Sequence, residues 1–311
     1  MKKIKHYMMI PFTGLGLFQG FRGDRWLRNR IKIFEQFVIP SLQAQTNKNF
    51  TVWIAWRSEE KTNKIVQELK HRMDNISDLQ FIFTYGGCPF YDDKYPLGEA
   101  RARLVGNLHN TLGELLDDIG EVDEVYMTIQ PSDDCYNRSA VARIQEALKD
   151  EIQAVGFKHG YIINYFNLEV SEYNPSTNPP FVTVKFPRDI FVDPILHADY
   201  TALKHDVTGY PKGTPCPSHE YYKDVFGDGY KQINLRGFLV GCHSENISTF
   251  YNHPFKGKAF NLAMDMFGLK GVDKLVLKNS IRKKILRKLP FKVQKKLRYW
   301  YAERLYNWLR K

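Results

Sequence analysis

The chain has 311 residues, and its 43% apolar and 14% aromatic content is that of a folded globular protein rather than a disordered one. No run of about 18 uninterrupted apolar residues is present, which excludes a transmembrane helix. The four cysteines form no CxxC pair, which argues against a zinc ribbon and against a disulfide scaffold. The formal net charge is +11, yet residues 278–311 carry 13 basic residues and one acidic residue, so the rest of the chain is close to neutral at −1.

The first part of the chain alternates short apolar runs with longer runs of helical periodicity. Strands are predicted at Ile4–Ile10, Phe50–Trp56, Leu79–Thr84 and Glu124–Gln130. Helices are predicted at Arg28–Gln43, Lys61–Met73, Leu97–Asp118 and Arg138–Lys149. This alternation predicts βαβ units, and therefore an α/β fold with a mostly parallel, Rossmann-like sheet flanked by helices. The lysines before the first strand are not followed by a cleavage site, so we interpret that segment as a buried strand rather than a signal peptide and expect a cytoplasmic protein.

The pattern changes at about residue 150. Strands are predicted at Ala154–Phe157, Tyr161–Leu168 and Phe181–Phe186, with little helix between them. A loop rich in glycine and proline follows at residues 209–217. We therefore expect three parts: an α/β half at 1–150, a mixed region of strands and long loops at 151–277, and a basic helical tail at 278–311.

The most informative segment is the predicted fourth strand, which runs directly into Ser132, Asp133 and Asp134. In open parallel sheets, ligands bind at the carboxyl ends of the strands. Two adjacent carboxylates there are costly unless a cation neutralises them, and their hard oxygens suit Mg²⁺ or Mn²⁺ holding the phosphates of a nucleotide. The alternative is a structural turn or helix cap, in which aspartate and serine are both common.

Two other segments point to the same edge of the sheet. Arg25 and Arg30 come shortly after the first strand, where a guanidinium can face a diphosphate; the alternative is a solvated helix flank. His243 follows the apolar run that begins at Gly237, where it is a candidate third metal ligand or a capping histidine.

The segments DRWLRNRIKIFEQFVIPSLQAQTNKNFTVWIAW, YMTIQPSDDCYNRSAV and LVGCHSENIS occur in this order, and together they resemble a rhamnosyltransferase family of GT-A-fold glycosyltransferases. The resemblance extends in scattered pieces over residues 1–255. It implies a nucleotide-diphosphate sugar as donor and a glycan or a lipid-linked molecule as acceptor.

The resemblance also assigns roles to individual residues. It implies that Arg25, Arg30, Ser132 and Asp133 bind the donor, and that Asp133, Asp134 and His243 hold Mn²⁺ or Mg²⁺. An inverting transfer further needs a base that takes the proton of the acceptor hydroxyl. We predict Glu220 for this role, with Asp199 and His219 as alternates.

The tail at residues 281–311 places apolar side chains at helical spacing among lysines and arginines, interrupted by Pro290. This pattern is typical of helices that lie in an anionic membrane interface, and it predicts a peripheral protein at the inner face of the membrane. A helix docked on its own domain explains the pattern equally well. Binding to nucleic acid is disfavoured, because the charge is confined to the tail and no nucleic-acid motif accompanies it.

Two other classes of protein remain open. A nucleotidyltransferase of similar topology would call for a phosphate-binding loop after the first strand, but Gly14 and Gly16 are not followed by a GxxxxGK pattern. A non-catalytic membrane-surface protein would leave Asp133 and Asp134 without a role.

Overall fold

The computed structural model describes residues 2–12, 23–92, 95–149, 151–179, 181–243 and 257–277, together with residues 290, 293 and 296. The strands are β1 (Ile4–Pro11), β2 (Thr51–Ala55), β3 (Gln80–Thr84), β4 (Glu124–Ile129), β5 (Cys135–Tyr136), β6 (Ala154–Asn164), β7 (Glu169–Tyr173), β8 (Val182–Pro187) and β9 (Tyr230–Cys242). The helices are α1 (Asp24–Ile33), a π-helical turn (Phe34–Val38), α2 (Ile39–Gln43), α3 (Lys64–Asp74), α4 (Leu97–Gly113), α5 (Leu116–Ile119), α6 (Ala140–Ala147), α7 (Arg188–Val192), α8 (Pro194–Tyr200), α9 (Tyr222–Phe226) and α10 (Gly257–Met266). The basic tail predicted at 278–311 lies almost entirely outside the described residues.

All nine strands belong to one sheet, whose order is β3-β2-β1-β4-β8-β6-β9-β5, with β7 paired to β6. The strands β3, β2, β1 and β4 run parallel, as the βαβ alternation predicts. Beyond β4 the sheet is mixed, because β8 is antiparallel to both β4 and β6, and β9 then runs parallel to β6. The prediction of a mostly parallel sheet is therefore wrong for the second half. The boundary predicted at residue 150 falls within this continuous sheet.

Helices are more frequent after residue 150 than the sequence predicts. α7, α8 and α9 are only five to seven residues long, which is too short for an apolar periodicity to stand out. α8 begins at a proline and is capped by Asp193, whose carboxylate accepts hydrogen bonds from the backbone N–H groups of Ile195 and Leu196. The two strands predicted at 154–157 and 161–168 form the single strand β6, which is irregular near His159 where its register with β9 shifts.

Both faces of the sheet are covered, which explains why its strands appear in the sequence as unbroken apolar runs. One face packs against α1, α3 and α6, and the other against α4, α8 and α9. A third cluster of buried side chains joins Phe37 of the π-helical turn to β6, β9 and Phe267 just after α10. None of the helices in the described part of the chain combines the length and the apolar composition needed to span a bilayer.

The π-helical turn lies between α1 and α2, immediately before Pro40 at the start of α2. Proline cannot donate a backbone hydrogen bond, and its ring clashes with the preceding turn of a regular α-helix. A wider turn at this point allows the chain to continue as a helix through the proline. The result is one long helical segment from Asp24 to Gln43, whose last part, α2, contacts β5.

Candidate functional site

A buried cluster of charged side chains forms around Asp133, in the loop between β4 and β5. The Asp133 Oδ2 atom accepts a hydrogen bond from Arg30 Nη1 at 2.6 Å and lies 3.0 Å from His243 Nε2. Arg30 Nε donates to the Ser132 hydroxyl at 2.8 Å. Four side chains that the sequence assigned to ligand binding are therefore in contact with one another.

Three segments that are distant in sequence bring these side chains together. Arg30 lies on α1, so its position depends on the helix that follows β1. Asp133 is placed by β5, because Cys135 pairs with Leu239 of β9. His243 directly follows β9, and the β5–β9 pairing therefore also brings it next to Asp133.

Asp134 points to a different partner from Asp133. Its Oδ1 atom accepts a hydrogen bond from the backbone N–H of Gly241 at 2.7 Å, which ties the loop to β9. The pKa of the Asp134 carboxyl is raised well above its usual value by burial and by the neighbouring charge of Asp133. For Asp133, burial acts in the same direction, but the charge of Arg30 and the contact with His243 outweigh it and lower the pKa of that carboxyl. The two adjacent carboxyls are therefore not equivalent, and Asp133 is the more acidic of the two.

Tyr165 contacts the cluster through Asp133 and His243, and the sequence analysis did not identify it as a site residue. Its hydroxyl donates to the backbone carbonyl of Asp133 at 2.9 Å. Its ring stacks on Phe37 with a centroid distance of 3.7 Å, and on its other side it lies nearly parallel to the ring of His243 at 6.2 Å. A tyrosine in the turn after a strand carries no local signal for such a role, because the role arises only when β6 pairs with β9.

Ser41 and Gln45, which belong to the first of the three resembling segments, have a structural role that the sequence did not predict. The Ser41 hydroxyl donates to the carbonyl of Tyr136 at 2.9 Å and accepts from its N–H at 3.2 Å. Gln45 donates to the carbonyl of Asn137 and accepts from the N–H of Val141. These side chains satisfy backbone groups of β5 and of the first turn of α6, so they hold the segment that follows Asp133.

Most of the other predicted site residues lie elsewhere. Arg25 is exposed on the first turn of α1. Asp199 is exposed on α8 and forms an ion pair with Arg101 at 2.6 Å. Glu220 is exposed on a 3₁₀ turn, next to His219, whose Nδ1 lies 2.6 Å from the carbonyl of Asn178. Burial lowers the pKa of His219.

The three candidate bases lie near the amino-terminal ends of β6 and β9. Tyr230 at the start of β9 donates to the Asn178 side chain, whose amide contacts His219, and Tyr200 after Asp199 contacts Gln153 just before β6. His243, in contrast, follows the carboxyl end of β9. The structure therefore does not bring the candidate bases into the cluster around Asp133.

The side chains predicted to bind a metal ion are not arranged around one common point. Asp133 and His243 converge, but Asp134 is turned to the Gly241 N–H, and Arg30 occupies the oxygen of Asp133 that faces His243. Within the described ranges, no three histidine, cysteine, aspartate or glutamate side chains lie close enough together to hold a metal ion. The roles predicted for Mn²⁺ or Mg²⁺ stay predictions.

The sequence model of a family described as "Putative rhamnosyl transferase" matches residues 21–85 of this chain. The matched segment contains α1, β2, α3 and β3, and thus includes Arg30 and Ser41. The resemblance drawn from the sequence is confirmed over this segment, which is 65 of the 311 residues. None of the curated proteins compared with the chain matches it.

Several solved structures match this one with low sequence identity and low TM-scores. TarS from S. aureus has 10% identity and a TM-score of 0.35 over 77% of this chain, which spans only 37% of the TarS chain. A 4-diphosphocytidyl-2C-methyl-D-erythritol synthase has 11% identity and a TM-score of 0.33, covering 79% of this chain and 92% of its own. A protein described as "putative nucleotide-diphospho-sugar transferase from Desulfovibrio desulfuricans G20" has 10% identity and a TM-score of 0.31, covering 78% of this chain and 80% of its own. Similarity this low carries no argument about activity.

Proposed function

We propose that this protein transfers a sugar, such as rhamnose, from a nucleotide-diphosphate donor to a hydroxyl group of a glycan or of a lipid-linked acceptor. The observation that carries the proposal is the contact of Arg30 with Asp133 and Ser132, beside His243, in the loop that leaves β4. The family match at residues 21–85 supports it, because that segment supplies Arg30.

The chemistry of glycosyl transfer explains why such a cluster is useful. As the bond to the sugar breaks, negative charge develops on the departing nucleoside diphosphate, and fixed positive charge nearby lowers the barrier. Arg30 provides this charge in a site where only 11% of its side chain is exposed. Asp133 and Ser132 fix the direction of the guanidinium, so it does not have to reorganise during the reaction.

Metal dependence remains part of the proposed function as an alternative source of positive charge. Mn²⁺ or Mg²⁺ is commonly bound by one or two carboxylates together with substrate phosphates. Asp133 and His243 are the residues that would contribute to such a site. Glu220, Asp199 and His219 stay predictions for the base that accepts the proton of the acceptor.

A panel of nucleotide-diphosphate sugars tests the proposal through release of the free nucleoside diphosphate. The assay is run with Mn²⁺, with Mg²⁺ and with excess EDTA, and Arg30→Gln is compared with Arg28→Gln as a matched control. Arg28 lies on the same helix but pairs with Glu68 at an exposed position, so its loss should leave the rate unchanged. Release of pyrophosphate from a nucleoside triphosphate, without donor hydrolysis, would instead indicate a nucleotidyltransferase.

The tail belongs to the proposal as the part that brings the enzyme to its acceptor. Residues 278–311 carry a charge of +12 and an apolar face at helical spacing. A membrane-bound, lipid-linked acceptor would be reached most readily by an enzyme held at the anionic inner face of the membrane.

A further inference from the structure

We infer that Arg30, rather than a divalent metal ion, is the cation that holds the diphosphate of the donor, and that Asp133 is a positioning residue for Arg30. This inference rests on the proposed function and specifies how its donor site works. It begins from the disagreement between the predicted metal site and the contacts that the carboxylates make.

The first step concerns the guanidinium group. Arg30 Nε donates to the Ser132 hydroxyl and Nη1 to Asp133, so hydrogen bonds from two different nitrogens fix the plane of the group. The contacts of Arg30 with the described residues use only these two nitrogens, which leaves the N–H groups of Nη2 to donate to a ligand. A planar guanidinium with a fixed direction and remaining N–H donors is well suited to phosphate oxygens.

The second step concerns Asp133. Its Oδ2 atom already faces both Arg30 and His243. A divalent ion binding to this oxygen would displace a guanidinium that is largely buried and would leave it without its anion, which is costly. The negative charge of Asp133 is therefore matched by Arg30 within the fold.

The third step concerns Asp134, the second carboxylate that a metal would need. It accepts a hydrogen bond from the N–H of Gly241 near the carboxyl end of β9, and Gly241 itself lies directly against the backbone of Asp133 and the ring of Tyr165. Turning Asp134 towards a metal ion would break its hydrogen bond to this buried N–H, which is costly in the interior of the protein. Asp134 thus has a structural role that keeps it out of the donor site.

The test is binding of nucleoside diphosphates, measured by calorimetry on the full chain without any turnover. UDP, dTDP, GDP and CDP are each titrated in excess EDTA and again with Mn²⁺, and bound Mn²⁺ is followed separately by electron paramagnetic resonance. At least one diphosphate should bind in EDTA with an affinity within about 3-fold of that in Mn²⁺, because Arg30 supplies the charge. Arg30→Gln should weaken binding by about 10- to 100-fold in both buffers, as expected for loss of a charge-assisted contact.

Three further variants distinguish a direct role of Arg30 from a general loss of folding or charge. Arg30→Lys keeps the charge but not the fork, so it should bind more weakly than the wild type and more tightly than Arg30→Gln. Arg28→Gln should bind as the wild type does, and thermal unfolding confirms that each variant is folded. Asp133→Asn should weaken diphosphate binding in EDTA, whereas a metal ligand would show its effect only when Mn²⁺ is present.

The outcomes separate this inference from the proposed function. Binding that requires Mn²⁺, together with a Mn²⁺ resonance that Asp133→Asn abolishes, would overturn the role of Arg30 and leave the glycosyltransferase proposal intact. No binding of any diphosphate in either buffer would overturn the proposed function, and the inference with it.

Discussion

At the scale of single residues, adjacent Asp133 and Asp134 have different environments and should respond differently to the same substitution. Asp133→Asn removes the charge that orients Arg30, and we expect kcat/KM for donor hydrolysis to fall by about 100-fold or more. Asp134→Asn keeps an oxygen for the Gly241 N–H, so the free energy of unfolding should change by less than about 1 kcal/mol, with activity largely retained. Donor hydrolysis and urea unfolding of both variants check this prediction. Equal loss of activity in the two folded variants would restore the metal role predicted for both.

A second residue-scale prediction concerns His6, which lies buried in β1 far from the candidate site. Burial lowers the pKa of His6 to about 3. Its Nδ1 accepts from the amide of Gln145, and its Nε2 contacts the Thr128 hydroxyl, an arrangement that suits the neutral ring and opposes a second proton. Above about pH 6.5 neither the folded nor the unfolded chain protonates this ring, so its contribution to stability is complete there.

As the pH falls below that value, the unfolded chain binds a proton that the folded chain does not. The free energy of unfolding should therefore decrease by about 1.4 kcal/mol per pH unit for this residue, until the folded ring protonates near pH 3. His197, whose pKa burial lowers to about 4, acts in the same direction. Urea unfolding at pH 7 and pH 5 should show a smaller decrease for His6→Gln than for the wild type. Identical pH dependence in the two proteins would contradict the neutral, buried state of His6.

At the scale of elements, the pairing of β5 with β9 decides where the site residues lie, and Gly241 of β9 lies directly against the loop that carries Asp133. A Cβ atom at Gly241 would collide with the backbone oxygen of Asp133 and the ring of Tyr165. Gly241→Ala should therefore lower the free energy of unfolding by about 2 kcal/mol or more and weaken diphosphate binding. Gly106 is the matched control, because a Cβ there meets no atom within 4 Å and alanine in mid-helix should stabilise by about 1 kcal/mol. Calorimetric unfolding and titration with nucleoside diphosphates check both; a stable Gly241→Ala variant with normal binding would contradict the packing argument.

The elements also show which parts of the fold the sequence predicts well. The parallel strands β1 to β4 and the helices between them can be predicted from local periodicity. The position of Ser132, Asp133 and Asp134 after β4 can also be predicted, because a change from apolar to polar residues marks the end of a strand. The antiparallel direction of β8 could not be predicted in this way, since strand direction depends on which distant strand becomes a neighbour. The same limit applies to Tyr165, which donates to the Asp133 carbonyl, and to Asp134, which accepts from Gly241 of β9, because both partners are set by strand pairing rather than by neighbouring sequence.

At the scale of the whole molecule, the site depends on elements that are far apart in the sequence. Arg30, Asp133 and His243 are separated by about a hundred residues each, and their contacts depend on β4, β5 and β9 being assembled together. Long-range pairing of this kind makes the site sensitive to any change that loosens the β5–β9 end of the sheet. The body that carries it is close to neutral, so attraction to an anionic surface depends on the basic tail.

The tail should therefore separate membrane binding from catalysis. Each lysine or arginine near an anionic surface contributes about 1 kcal/mol, and apolar residues such as Trp300, Leu305 and Trp308 add burial that salt does not screen. Full-length protein should bind vesicles rich in phosphatidylglycerol, more weakly but still measurably at high salt. Truncation after Lys278 should release the protein from the vesicles in a flotation assay and leave hydrolysis of a soluble donor unchanged. Aggregation of the truncated protein would show instead that the tail completes the core, and continued vesicle binding without the tail would place the membrane contact on the body of the protein.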